Sequence, residues 1–169
     1  EVCGQNSEIE LEETGTAPPE DLTFAEPADT ADEIAEAYIA SINAGNDSAS
    51  TKLATYASIY RRVLNDDRMC LCGMLAADYS TLPEPMRSAV TRFFEENEAW
   101  LTGVLAQGRE DGDLSFPGEP VDVARLLVGV LEGGMLLARS FNEPTRFQTL
   151  ADRLIADLIP NPARPGPGP

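Results

Sequence analysis

The sequence predicts an all-α protein, a bundle of about six helices flanked by an acidic arm and a tail rich in proline and glycine. Three observations carry this reading. From about residue 31 to residue 159, apolar side chains recur at intervals of three and four, the period that puts them on one face of a helix. The alternating apolar and polar runs that mark strands are absent. Proline falls between the periodic stretches or at their starts, where a missing N–H costs nothing, and never within them.

Each element follows in order. Residues 1–28 carry three prolines, are acidic and hold no sustained period, so they are expected to form a disordered arm. Thr30 and Glu33 have the spacing of a capping box, and Ile34, Tyr38, Ile39 and Ile42 supply the stripe of a first helix, about 31–44, ending near Gly45. A second helix begins at Ser50, carries Leu53, Tyr56, Ala57, Tyr60, Val63 and Leu64 on one side, and frays at Asn65-Asp66-Asp67. A short third helix covers about 69–80. Pro83 and Pro85 suit the first turn of a fourth, which runs to about Gln107 with Met86, Val90, Phe93, Phe94, Trp100, Leu101, Val104 and Leu105 facing inward. Gly108, Gly112, Phe116-Pro117-Gly118 and Pro120 mark the next loop. The fifth helix, 121–141, is apolar around much of its circumference and needs more than one packed face. A sixth follows Asn142-Glu143-Pro144 with Phe147, Leu150, Leu154, Ile155, Leu158 and Ile159 at helical spacing. The domain therefore spans 29–159, and residues 160–169 form a flexible tail.

Charge and composition narrow the function classes. The formal net charge is −17, and no Lys or Arg precedes Lys52, so the first 51 residues hold only acidic charge. Duplex DNA is bound by cations that displace counterions from phosphate, so this stretch cannot read DNA. The chain has no histidine, which removes Ser-His-Asp and Cys-His catalysis and His-ligated metals. No enzyme activity and no cofactor are expected. No run of eighteen apolar residues occurs and no signal peptide is evident, so a soluble cytoplasmic protein with no membrane partner is the simple reading. The three cysteines, Cys3, Cys70 and Cys72, fit a reducing compartment.

The residues "YRRVLNDDRMCLCGMLAADYSTLPEPMRSAVTRFFEENEAWLTGVLAQGREDGDL" and "ARLLVGVLEGGMLLARSF" resemble the C-terminal regulatory domain of TetR/AcrR-type transcriptional regulators. The resemblance covers about 31–159. It rests on the order of a short cysteine-bearing helix, "LP" before a long helix with "RFF", a glycine-rich turn and "LEGGMLLARS". It implies an all-α domain that binds a small apolar or amphipathic effector between its central helices and forms a homodimer through its last two helices. The family sets a three-helix DNA-binding module before this domain, and the acidic arm is too short and of the wrong charge to be one. The expectation is a chain without its helix-turn-helix, contacting DNA only through a module outside it. It is then a fragment, or a truncated regulator that pairs with a full-length partner.

The resemblance also implies a ligand pocket lined by Tyr56, Tyr60, Met69, Cys70, Met74, Phe93, Phe94 and Trp100, although each would serve equally as core. Cys70 and Cys72 lack the spacing and the further ligands of a metal site, and helical residues two apart point away from each other, which disfavours a disulfide. Two readings stay open: both are buried wall, or Cys70 is a sensor thiol for oxidants or electrophiles, activated by a helix start and by Arg68. Glu95, Glu96 and Glu98 are read as a solvated face. Gly129 and Gly133 lie one turn apart on the fifth helix and point to close helix contact. The expected dimer interface is Gly129, Gly133, Leu136, Phe147, Leu150, Leu154 and Leu158.

Overall fold

The computed structural model describes residues 39, 40, 42, 43 and 46–160. The arm, the Thr30–Glu33 cap, most of the first predicted helix and the tail from residue 161 lie outside the described residues. Among the described residues the architecture is all-helical. It comprises α1 (Ala49–Asn65), α2 (Leu71–Ala77), a 3-10 turn (Tyr79–Thr81), α3 (Glu84–Glu110), α4 (Pro120–Ser140) and α5 (Pro144–Ala156).

The helix ends follow from local chemistry. Ser48, not Ser50, caps α1 by accepting the Thr51 N–H at 3.3 Å. Ser50 instead donates its N–H and hydroxyl to the Asp113 carboxylate at 2.6 and 3.1 Å, which ties the loop after α3 to the start of α1. Pro85, Pro120 and Pro144 stand in the first turns of α3, α4 and α5.

At the end of α1 the expected fraying is replaced by a closed cap. Asp67 takes a left-handed φ of 59°, and the N–H groups of Asp67 and Arg68 return to the carbonyls of Leu64 and Val63. Asn142, with φ 53°, closes α4 in the same way. The third predicted helix shrinks to Leu71–Ala77 because Cys70 is its N-cap and Asp78 its C-cap. The fourth runs on past Gly108, which is no loop residue. A Cβ there would press on Ala49 and Leu114, so this glycine allows the close approach of α3 to the start of α1.

The central α4 packs against α3 and α5, α1 lies across all three, and α2 rests chiefly on α3. Leu53, Leu101, Leu105, Leu131, Met135 and Phe147 are all but sealed from solvent where these helices meet. Burying each such side chain stabilises the fold by about 1.5–3 kcal/mol. The apolar circumference of α4 thus finds its packed faces on α3 and α5, as its sequence requires.

Candidate functional site

A cavity of about 200 Å³ opens between α1, α2, α3 and α4. Tyr56, Ile59, Tyr60 and Val63 come from α1, Met69 and Cys70 from the loop before α2, and Leu71 and Cys72 from α2 itself. Phe93 and Asn97 of α3, Met135 of α4, and Ile39 and Ile42 complete the wall. The surface is almost wholly apolar and holds no Lys or Arg.

Of the eight pocket residues read from the sequence, Tyr56, Tyr60, Met69, Cys70 and Phe93 line this cavity. Phe94 packs edge-on against Phe93 with ring centroids 5.2 Å apart, one layer back. Trp100 leans on Tyr56 at 5.4 Å and donates its Nε1–H to Asn43 Oδ1 at 3.1 Å, so it touches the wall from behind. Met74 is a correction. It is 47% exposed, because α2 is short and turns that residue away from the core.

Two polar residues that sequence reasoning passed over organise the site. Asn97 is buried on α3; its Nδ2 donates to the Phe93 carbonyl at 2.7 Å, and its Oδ1 accepts the Tyr56 hydroxyl at 2.9 Å. The Tyr56 proton is thereby committed, so only the Tyr60 proton can serve the 3.0 Å contact between Tyr56 and Tyr60, and Glu132 competes for it. Glu132 of α4 reaches Tyr60 and Cys70, and its Oε1 is buried with no hydrogen-bond partner. Gly73 leaves room for this carboxyl, since a Cβ there would collide with Oε2. Burial raises the Glu132 pKa above its ordinary value, against the contrary pull of the Cys70 and Tyr60 donors.

The same cluster settles the protonation of its neighbours. Burial pushes both tyrosines well above the usual phenol value; Tyr56 and then Glu132 raise Tyr60 further, whereas at Tyr56 the hydrogen bond from Tyr60 works against the rise. For Cys70, burial and then the Glu132 charge drive the thiol pKa strongly upward. The Gly73 N–H at the start of α2 does donate to Cys70 Sγ at 3.4 Å, as a helix-start cysteine should allow, but this pull is the smaller. Arg68 gives no help, because it is 70% exposed and pairs with Asp66 at 3.0 Å. The activation expected from that guanidinium is therefore corrected: the groups around Cys70 raise its pKa rather than lower it. Cys72 is fully buried. Glu98 pairs with Arg125 at 3.4 Å across the α3–α4 surface, and Glu95 is exposed, in keeping with a solvated face. Among the described residues no cluster of His, Cys, Asp and Glu could hold a metal, and no helix is long and apolar enough to cross a membrane.

A second surface lies on α4 and α5. A Cβ built on Gly129 or Gly133 meets nothing within 4 Å, so neither glycine is needed by its own protomer. Gly134 differs, since its Cβ would come within 3.2 Å of Leu150 and 3.3 Å of Phe147. Leu136, Leu137 and Phe141 are 48%, 56% and 53% exposed, and Val130, Leu150 and Leu154 line the adjoining groove. Phe147 and Leu158, expected at the interface, are corrections. Phe147 is 1% exposed and stacks on Tyr60, and Leu158 is buried with its carbonyl bound by the Ser115 N–H at 2.7 Å, so both belong to the protomer's own core.

The family described as tetracyclin repressor-like, C-terminal domain, matches residues 49–154. The chain is 33% identical over 96 residues to the HTH-type transcriptional repressor NemR of Escherichia coli K12, a stretch that is 56% of this chain and 47% of that protein. It thus spans about half the length of that curated relative. The reduced form of E. coli NemR superposes with a TM-score of 0.68 at 25% identity, covering 81% of this chain and 72% of that one. A TetR-family regulator from Agrobacterium tumefaciens shares the fold with a TM-score of 0.76 at 24% identity, over 79% of this chain and 71% of that one. These relatives are transcriptional regulators. The helical order, the matched residues and these likenesses agree: the chain belongs to the tetracyclin repressor-like C-terminal domain family.

Proposed function

We propose that residues 29–159 form an effector-binding and dimerising unit, with a small apolar or amphipathic molecule held in the cavity of Tyr56, Tyr60, Met69, Cys70 and Phe93. The single observation that carries the reading is that cavity, an apolar hollow reached by side chains from four helices in a domain of this size. An engineered apolar cavity of about 150 Å³ takes up benzene, so about 200 Å³ suits one ring with a short substituent. Two copies meet through the exposed faces of α4 and α5, and the unit acts in the cytoplasm on DNA-reading modules outside this stretch. The effector shifts the population between two spacings of those modules by binding one conformation more tightly.

Trp100 reports on the cavity because its ring rests on Tyr56. Titration with toluene, indole and propylbenzene, followed by Trp100 fluorescence and thermal melting, is expected to give saturable binding and a raised Tm. Ile59→Trp, which fills the hollow, is expected to abolish both responses while the helical circular dichroism persists. Absence of any saturable response in the unsubstituted protein refutes the reading. A thiol-sensing role for Cys70 is the weaker reading, since burial and Glu132 oppose the thiolate that such chemistry needs.

A further inference from the structure

We infer that the cavity selects a small organic cation, a primary or secondary arylalkylamine, with the buried Glu132 carboxyl as its counter-charge. The inference rests on the effector-binding reading above and names the ligand's chemistry.

The polar groups at this end of the cavity are short of protons. Tyr56 gives its proton to Asn97, and the single Tyr60 proton is contested by Tyr56 Oη and by Glu132. Cys70 supplies one further donor to Glu132, and Oε1 is still left with none. Native proteins rarely leave a buried carboxyl oxygen bare, because the loss of hydration has nothing to offset it. The groups acting on Glu132 are Tyr60 and Cys70, and among the described ion pairs none involves it. Among the described residues its charge has no ion-pair partner.

Glu132 is not itself lining. It stands at Tyr60 and Cys70, whose side chains are, so an ammonium in the hollow lies one side chain from the carboxyl and is attracted by its charge across that layer. The rings of Tyr56, Tyr60 and Phe93 stand in the wall, and an aromatic face attracts a cation. An anionic head would find no Lys or Arg in the wall and would face Glu132. A carbonyl head would bring another acceptor to a cluster already short of donors. An amine brings the missing charge, while its ring fills the apolar remainder.

The test uses three probes of matched shape, 2-phenylethylamine, propylbenzene and 3-phenylpropanoate, titrated into the whole chain near neutral pH with Trp100 fluorescence and calorimetry as readouts. The amine is expected to bind at least tenfold more tightly than propylbenzene, and the acid at least tenfold more weakly. In Glu132→Gln the amine's advantage over propylbenzene is expected to vanish while propylbenzene binding is retained. Equal affinity of the amine and propylbenzene in the unsubstituted protein overturns the inference and leaves the cavity reading standing. Failure of all three probes overturns both. Survival of the amine's advantage in Glu132→Gln also overturns the role of the carboxyl. Since the probe comparison in the unsubstituted protein needs no variant, a poorly folding Glu132→Gln does not protect the inference.

Discussion

Replacing Gly129 and Gly133 together by alanine separates two roles for an unpacked glycine face. Within the protomer nothing lies within 4 Å of either added methyl, so the substitutions meet no steric cost there. Glycine in a helix interior is less favourable than alanine by about 1 kcal/mol, so the double variant gains about 2 kcal/mol of protomer stability. If a second α4 crosses at these positions, each added methyl must instead be accommodated between two backbones. Such overpacking costs about 1–3 kcal/mol per site, and twofold symmetry repeats every site. The dimer should then weaken by a factor of ten or more, since about 1.4 kcal/mol is one decade in Kd. Sedimentation velocity across a concentration series measures that Kd, and urea unfolding at dilutions where both proteins are monomeric measures the protomer. The expected result is opposite movement: a more stable protomer and a weaker dimer. An unchanged Kd with a more stable protomer refutes the placement of the glycines in the interface. A less stable protomer refutes the open space itself.

Two further outcomes follow from the buried cluster. Because burial and Glu132 raise the Cys70 pKa, native Cys70 is expected to react with iodoacetamide more slowly than in urea-unfolded protein at every pH from 7 to 9, as read by peptide mass spectrometry; a native rate equal to or above the unfolded rate contradicts the thiol assignment. The Glu132 pKa is raised above the ordinary value of 4.5, so the folded chain keeps a proton that the unfolded chain has released, and this contribution to stability is present below about pH 4.5 and lost as pH rises through the folded value. Glu132→Gln should therefore lose less stability than the unsubstituted protein between pH 4.5 and 7 in urea titrations, and parallel pH profiles would contradict the raised pKa.

Much of this was legible in the sequence, and what was not has definite physical causes. Three-and-four spacing located α1, α3, α4 and α5, and the same spacing brought Tyr56, Tyr60 and Phe93 to one cavity, because periodicity reports directly which face is buried. It does not report what that face is buried against. Phe147 and Leu158 lie on an apolar stripe as expected, yet the stripe meets Tyr60 and the loop at Ser115, not a second copy. A polar residue inside the period carries no sign of its own that it is buried. Asn97 lies four residues from both Phe93 and Leu101, and Glu132 four from Val128 and three from Met135, so each sat in register with buried neighbours, which was the signal available. The failed expectation about Arg68 has another origin. A sequence neighbour is not a spatial one, and the left-handed turn at Asp67 sends Arg68 to Asp66.

The placement of α4 has a consequence for any mutational scan of this chain. Leu131, Met135 and Ala138 look into the core and the cavity, while Val130 in its middle and Leu137 and Phe141 at its C-terminal end border the outer groove. A single helix, about 10 Å across, is therefore the whole partition between the hollow and the open face. Neighbouring positions along it belong to different compartments, so residues 135 and 136, adjacent in the chain, should report on unrelated properties. Results along α4 need to be grouped by angle around the helix axis, at about 100° per residue, before averages over consecutive positions acquire meaning.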